Sequence, residues 1–163
     1  MFNILVVCTH NSARSVLAEV LLNHYGTGVL TAYSAGSAPR ANQQPHPLGL
    51  QVLSKHGHDT RSLHSKSWDG FAAQGAPPID LVITVCDSAA GEVCPLFMGT
   101  PRKVHWGYAD PSAGTGNEAE KLAAFHRTYD ALARRTLAFM ALTRKAQNNA
   151  DLQAAASAVK GVM

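Results

Sequence analysis

The sequence predicts an α/β fold, a single three-layer domain in which helices cover both faces of a four-stranded parallel sheet. Two observations lead to this fold class. Apolar runs with the length of buried strands alternate with segments of helical periodicity, which is the pattern of βαβ units. At 163 residues and 46% hydrophobic content, the chain is long enough for one domain with an ordinary core, and no internal repeat is evident.

The N-terminal residues contain the clearest elements. The run Phe2–Val7 has the β-branched content of a buried strand, and Arg14–Tyr25 repeats its apolar residues at helical spacing. The remaining predicted elements are a strand over 29–34, a helix over 46–56, a short helix near 68–73, strands over 80–85 and 103–106, and a long helix over 117–144. The predicted apolar face of the long helix consists of Leu122, Phe125, Tyr129, Leu132, Leu137 and Met140.

Residues 145–163 follow the long helix and are rich in alanine. Alanine favours a helix, but the apolar face of this stretch is thin. We therefore divide the chain into a domain over residues 1–144 and a partly helical C-terminal tail over residues 145–163.

Composition argues against several classes of function. The formal net charge of +3 is small and the basic residues are scattered, so we expect no nucleic-acid binding. No apolar run has membrane length and no basic segment precedes the first strand, so neither a membrane span nor an export signal is predicted. Three cysteines, an odd number, do not suggest the disulfide framework of a secreted domain. We expect a monomer in the reducing cytoplasm.

The loop CTHNSARS at residues 8–15, between the first strand and the first helix, is the predicted active site. Such a loop points backbone N–H groups into one concavity, and the helix dipole adds positive charge, which suits a tetrahedral oxyanion. Cys8 should be a thiolate nucleophile at neutral pH, because a helix N-terminus and a nearby cation lower a thiol pKa. Arg14 can bind two oxygens of the anion. The predicted binding residues are Thr9, His10, Asn11, Ser12, Ala13, Arg14 and Ser15.

Loops that follow the other strands should reach the same site. Ligands of open parallel sheets bind beyond the carboxyl ends of the strands, and the loops after residues 85 and 106 leave the sheet on the Cys8 side. Asp110 lies in the second of these loops, where a carboxylic acid could protonate a leaving oxygen. The local sequence is equally typical of an Asp-Pro turn with Pro111.

Cys86 and Cys94 enclose small and polar residues that indicate an exposed, deformable loop. Either cysteine alone could be a small buried hydrophobe. If the segment were helical, the two would lie about 12 Å apart along the axis, whereas a disulfide needs Cα atoms within about 7 Å. A bond between them therefore requires a non-helical loop or local unwinding. No cysteine pair has zinc-ligand spacing and the histidines are dispersed, so no metal site is predicted.

Several motifs together resemble a known family. The loop CTHNSARS, YSAGS at residues 33–37 and Asp110-Pro111 are similar to the low-molecular-weight protein tyrosine phosphatase fold family. Within that family, GHDT at 57–60, SKS at 65–67 and VITVCDSAAGEVCP at 82–95 resemble the thiol-dependent arsenate reductases. The similarity extends over residues 2–140. It implies a sheet of flavodoxin-like topology.

The resemblance also implies a reaction. The implied roles are Cys8 as the nucleophile that attacks arsenate, Arg14 as the oxyanion clamp, Asn11 and Ser15 as supports of the loop and the thiolate, and Asp110 as the acid. Cys86 would then attack the Cys8 sulfur, releasing arsenite, and Cys94 would form a disulfide with Cys86. No cofactor is implied beyond an external thiol reductant, either thioredoxin or glutathione with glutaredoxin.

The sequence departs from the reductase pattern at three places. His10 stands where glycine is expected, and Ala13 stands where the thioredoxin-linked reductases often have another cysteine. The segment between Cys86 and Cys94 is one residue longer than expected. Because of these departures, the sequence does not decide whether thioredoxin or glutathione with glutaredoxin supplies the electrons.

Two other functions compete with arsenate reduction. A phosphatase would use Cys8, Arg14 and Asp110 without a second thiol, because phosphate and arsenate are near-isosteric. Phosphatases of this fold typically carry an aromatic residue after the Asp-Pro pair and another after the Ser-Ala-Gly segment. Here Ser112 and Ala38-Pro39-Arg40 occupy those places, which favours the reductase. A non-catalytic oxyanion- or arsenite-binding regulator would have no need for Asp110.

Overall fold

Four parallel strands form the sheet of the computed structural model, which describes residues 1–163. The strands are β1 Phe2–Cys8, β2 Leu30–Gly36, β3 Leu81–Thr84 and β4 Arg102–His105, in the spatial order β2-β1-β3-β4. Every neighbouring pair is parallel, and Cys8 at the end of β1 stands opposite Gly36 at the end of β2. The predicted α/β fold class and its flavodoxin-like topology are confirmed.

The two central strands are covered on both faces. Successive side chains of a strand point to opposite faces, so a run without exposed residues shows that neither face meets water. Ile4, Leu5, Val6 and Val7 of β1 have no exposed surface, and every residue of β3 is buried. This burial explains why the predicted strands lack alternating polar residues.

Five helices and one short 3₁₀ helix pack around the sheet. The helices are α1 Arg14–Tyr25, α2 Pro47–Lys55, α3 Asp87–Ala90, α4 Glu118–Thr143 and α5 Asn149–Ala158, and the 3₁₀ helix is Trp68–Phe71. Helix α1 packs on β1 and β2, and α5 packs on β3 and β4. Helix α4 packs against α1, α2 and α5, and the 3₁₀ helix lies against β2. No helix is both long and apolar enough to cross a membrane.

Two features differ from the sequence predictions. The residues after Cys86, predicted as a loop, form the single turn α3, because the fully buried Ala89 packs into the core. Leu137 of α4, predicted in the apolar face, is 50% exposed. Arg135 and Thr136 are buried in its place, and the Arg135 guanidinium lies over the ring of Trp106, the residue after β4.

The C-terminal residues 145–163 contain helix α5, which buries Leu152, Ala155 and Ala156. The indole N–H of Trp106 donates a hydrogen bond of 2.9 Å to the carbonyl of Ala156. This contact joins α5 to the segment that follows β4. The division of the chain at residue 144 stays a prediction.

Candidate active site

The Cys8 loop connects the end of β1 to the start of α1. Ala13, the residue before α1, is the N-cap of this helix and supplies no side-chain hydrogen bond to its first turn. The first N–H groups of a helix have no partner within the helix, so this uncapped turn can bind an anion. Cys8 itself is buried and only 5% exposed.

Asn11 holds the loop in shape from beneath. Its φ of +55° lies in the left-handed region, which asparagine tolerates better than most residues. Its side-chain amide donates to the hydroxyls of Ser15 and Ser34, each at 2.9 Å. The Asn11 side-chain oxygen accepts from the backbone N–H of Lys66, and its carbonyl accepts from the hydroxyl of Ser65. The fully buried Asn11 therefore joins the loop to α1, to β2 and to residues 65–66.

Gly36, at the end of the Ser-Ala-Gly segment, allows β2 to approach the loop closely. A Cβ atom at this position would lie 2.7 Å from the carbonyl oxygen of Thr9 and 2.9 Å from the carbonyl carbon of His10. Any larger residue would push the loop away from the sheet. The segment is thus required for packing under the site.

Arg14 is oriented by a backbone carbonyl. One terminal nitrogen, Nη1, donates to the Tyr108 carbonyl at 2.8 Å, and Nη2 lies 3.8 Å from Oδ2 of Asp110. The buried Nε has no hydrogen-bond partner. The edge formed by Nε and Nη2, whose one polar contact is the ion pair with Asp110, is therefore the edge that can bind two oxygens of an oxyanion.

Asp110 forms a local turn and also faces the site, so the two alternatives that the sequence left open, a turn residue and an acid, both fit its position. Its Oδ1 accepts from the backbone N–H of Ser112 at 2.9 Å and from the Ser112 hydroxyl at 2.7 Å, which forms an Asx turn. Its Oδ2 faces Arg14. Burial opposes the charge, but the Ser112 hydrogen bonds and the Arg14 guanidinium outweigh it and lower the pKa of Asp110.

The thiols of Cys8 and Cys86 lie side by side and hydrogen-bond to each other. This hydrogen bond, joined by one from the Thr9 hydroxyl at 3.5 Å, lowers the pKa of Cys86 to about 5. The same hydrogen bond and burial raise the pKa of Cys8. The pair therefore holds one negative charge at neutral pH, shared between two coupled thiols. That Cys8 is a thiolate when it attacks stays a prediction.

These groups line one cavity of about 430 Å³. Among the predicted site residues, those that line it are Cys8, Thr9, His10, Arg14, Cys86 and Asp110. Asn11, Ser12, Ala13 and Ser15 do not line it, and all of them except Ser12 are buried. Cys94 lies apart, half-buried beside Pro95 and Phe97, in a different cavity. All three cysteines are free thiols.

The sequence predicted which loops converge on Cys8, but it did not reveal the contacts that Tyr108 and His105 make there. Tyr108 orients Arg14 through its carbonyl, a role that no side-chain motif reveals. His105 donates or accepts at both ring nitrogens, with Asp87 at 3.0 Å and Thr84 at 2.8 Å. The signal for both was their place at the carboxyl end of β4, where His105 is the last residue of the strand and Tyr108 follows three residues later. No group of three or more His, Cys, Asp or Glu side chains is arranged to hold a metal ion.

Known proteins share this arrangement of strands and loops. The sequence profile of the low molecular weight phosphotyrosine protein phosphatase family matches residues 3–154. An arsenate reductase of Halalkalibacterium halodurans is 34% identical over 133 residues, which cover 82% of this chain and 91% of that protein.

Solved structures agree in fold. An arsenate reductase in the phosphate binding state has a TM-score of 0.66 at 23% identity, covering 86% of this chain and 98% of the other. A thioredoxin-dependent arsenate reductase of Corynebacterium glutamicum has a TM-score of 0.57 at 27% identity, covering 84% of this chain and 62% of the other. With the profile spanning most of its length and a relative above 30% identity, the chain belongs to the low molecular weight phosphotyrosine protein phosphatase family, in which its relatives include arsenate reductases.

Proposed function

We propose that the protein reduces arsenate to arsenite with its own thiols. The observation that carries this proposal is the second buried thiol, Cys86, beside Cys8 in a cavity that also contains Arg14. Phosphoryl transfer needs one nucleophile and a clamp, whereas reduction of As(V) to As(III) needs two electrons, which two thiols supply when they become a disulfide. The similarity to arsenate reductases supports the same conclusion.

The first step forms a bond between the Cys8 sulfur and arsenic. The free edge of Arg14 holds two arsenate oxygens while Cys8 attacks, and a hydroxyl leaves as water. The proton that completes this water is the one released by the Cys8 thiol. Asp110 lies in the same cavity and is ionised, so it can accept that proton and pass it to the leaving oxygen.

The second step breaks the sulfur–arsenic bond. The Cys86 thiolate attacks the Cys8 sulfur, a disulfide forms, and the electron pair of the sulfur–arsenic bond stays on arsenic, which leaves as arsenite. The lowered pKa of Cys86 makes it an anion at neutral pH, as this attack requires. Cys94 then attacks Cys86, which releases the Cys8 thiolate and leaves a disulfide between Cys86 and Cys94.

An external thiol reductant must reduce the final disulfide. Val93 and Leu96, on either side of Cys94, are each 94% exposed, and such exposed apolar side chains suit a protein–protein contact. This surface favours a protein reductant, thioredoxin or glutaredoxin, over glutathione alone. The thioredoxin-dependent relative from Corynebacterium glutamicum supports the former.

The second candidate function is hydrolysis of phosphomonoesters. The observation in its favour is that Cys8, Arg14 and Asp110 share one cavity and would suffice without Cys86 or Cys94. The two functions therefore differ in their need for the second and third thiols.

The deciding experiment measures arsenite formed from arsenate by the reduced protein, with thioredoxin and with glutathione plus glutaredoxin in separate reactions. We expect Cys8→Ser and Cys86→Ser each to lower turnover by more than about 10³-fold. Cys94→Ser should support one turnover and then stop with thioredoxin, since it lacks the exposed disulfide. Hydrolysis of an aryl phosphate that depends on Cys8 but not on Cys86, with no arsenite formed, would refute the reductase and support the phosphatase.

A further inference from the structure

A chain of contacts links the C-terminal residues to Arg14 across the core. It begins at Arg135 in α4, whose side chain is buried and only 2% exposed. Arg135 donates through Nε to the carbonyl of Val162 at 2.9 Å and through Nη2 to the carbonyl of Lys160 at 2.7 Å. Two carbonyls beyond the end of α5 thus hold this guanidinium in one orientation.

The guanidinium lies against two aromatic rings of the segment that follows β4. Its central carbon is 4.6 Å from the centre of the Tyr108 ring and 5.7 Å from the centre of the Trp106 ring. Nη1 of Arg135 has no hydrogen-bond partner, so the aromatic rings compensate the burial of this nitrogen. The Tyr108 ring therefore packs against a guanidinium that the C-terminal carbonyls hold in place.

Tyr108 transmits this position to the active site through its backbone. Its N–H donates to the carbonyl of Val85 at 3.1 Å, and its carbonyl accepts from Nη1 of Arg14 at 2.8 Å. That second bond decides which edge of Arg14 faces the cavity. A shift of the ring would turn the carbonyl and release Arg14 from the orientation in which Nε and Nη2 are free.

We propose that Arg135 is a positioning residue for oxyanion binding, held by residues 160–162 and acting on Arg14 through Tyr108. The inference rests on the proposed function only in that the ligand is an oxyanion. Residues 160–162 lie beyond the residues 3–154 that the family profile matches, so the C-terminal segment of this chain becomes part of the machinery of its site.

A neighbouring arginine provides a matched control. Arg134 is adjacent in α4 and also donates to the C-terminal segment, through Nε to the carbonyl of Met163 at 2.6 Å. Its guanidinium does not lie over either aromatic ring, and its side chain is exposed. Replacing either arginine with methionine removes one positive charge and a hydrogen bond to the C-terminal segment, but only Arg135→Met removes a cation from the Tyr108 ring.

The test measures the affinity of the reduced protein for inorganic phosphate by isothermal titration calorimetry, with the unfolding midpoint recorded in parallel. We expect Arg135→Met to weaken phosphate binding about tenfold and Arg134→Met to leave it within about twofold. Arg135→Lys should restore part of the affinity, because it keeps the cation beneath the ring. In NMR spectra, the Nε–H resonance of Arg14 should shift with phosphate in the unchanged protein and much less in Arg135→Met.

Tyr108→Leu provides a second variant should Arg135→Met not fold, because it removes the ring while leaving Arg135 on its carbonyls. It should weaken phosphate binding in the same direction. Equal affinities for Arg135→Met, Tyr108→Leu and Arg134→Met, with only the unfolding midpoint lowered, would overturn the inference and make Arg135 purely structural. Absence of phosphate binding by the unchanged protein would instead overturn the oxyanion site, and with it the proposed function.

Discussion

The guanidinium of Arg14 makes one structural hydrogen bond and presents its remaining nitrogens for binding an oxyanion. Nη1 is bound to the Tyr108 carbonyl, which leaves Nε and Nη2 as a fork with the spacing of two oxyanion oxygens. A lysine could satisfy the carbonyl or the anion but not both, because its single ammonium has no fixed fork. At the residue scale, recognition therefore depends on where one backbone oxygen lies.

The Cys8 and Cys86 thiols form the other residue-scale feature of the site. Their hydrogen bond leaves one proton for two sulfurs, so the pair and not either cysteine alone determines the charge. In the proposed first step the Cys8 proton passes to Asp110, and the negative charge of Cys86 is kept for the attack on the Cys8 sulfur.

This pairing predicts a single low-pKa thiolate per chain. Absorbance at 240 nm, followed from pH 4 to pH 8, should show one thiolate appearing with a midpoint of about 5. Cys86→Ala should remove this transition, and Cys94→Ser, which lies outside the cavity, should retain it. A midpoint near 5 that persists in Cys86→Ala would place the charge on Cys8, as the loop sequence alone suggested.

At the scale of elements, the segment from Cys86 to Cys94 must change shape for its two cysteines to join. Cys86 is the N-cap of α3, and a four-residue helix has little cooperative stability of its own. Polar contacts from other elements hold the segment in place. The Ser37 hydroxyl donates to Oε1 of Glu92 at 2.8 Å, and Nζ of Lys103 donates to the Ala90 carbonyl at 3.3 Å.

Release of the Ser37–Glu92 contact should therefore ease disulfide formation. We expect Glu92→Ala to raise the rate at which oxidised dithiothreitol converts Cys86 and Cys94 to a disulfide by about three- to tenfold, since a hydrogen bond to a charged group is lost. Ser37→Ala should have a similar effect, and the double variant should show no further gain. An additive effect of the two substitutions would mean that the two side chains act separately.

At the scale of the whole molecule, a cluster of histidines joins three helices. The rings of His24 and His58 have centroids 4.9 Å apart, and the ring of His56 stacks on Tyr129 at 4.0 Å. Nε2 of His58 and the Tyr129 hydroxyl share a hydrogen bond of 2.7 Å. Residues near the ends of α1 and α2 are thus connected to the middle of α4 through imidazole rings and the Tyr129 side chain.

This cluster predicts a loss of stability in acid. Burial, followed by the nearby His24 and His56, lowers the pKa of His58 in the folded protein. The unfolded chain then binds a proton at higher pH than the folded one, so the free energy of unfolding falls as the pH drops through about 6.5. His58→Gln should flatten this fall in urea titrations between pH 8 and pH 5.

The exposed His64 provides the control for that measurement, because His64→Gln removes a histidine outside the helix junction. An unchanged slope in His58→Gln would show that acid sensitivity between pH 8 and pH 5 arises elsewhere, for example at His46, whose pKa is also lowered by burial.

Local sequence patterns determined the α/β fold class and the place of the oxyanion loop. The hydrophobic periodicity and composition of about ten residues are enough to predict a strand or a helix. The polar run from Cys8 to Arg14 lies where β1 ends and α1 begins. The order of strands and loops was enough to bring Asp110 and Cys86 to the Cys8 cavity.

Contacts between distant segments were decided only by the tertiary structure. Residues 87–90 form the helix α3 where a loop was predicted, because Ala89 packs into the core. On α4, Arg135 is buried, whereas Leu137, which was predicted to be buried, is not. The pKa values of Cys8 and Cys86 shift in opposite directions because the two thiols, 78 residues apart in the chain, meet in one cavity. A pattern in sequence records the periodicity of each element, but burial and pKa depend on atoms that only folding brings together.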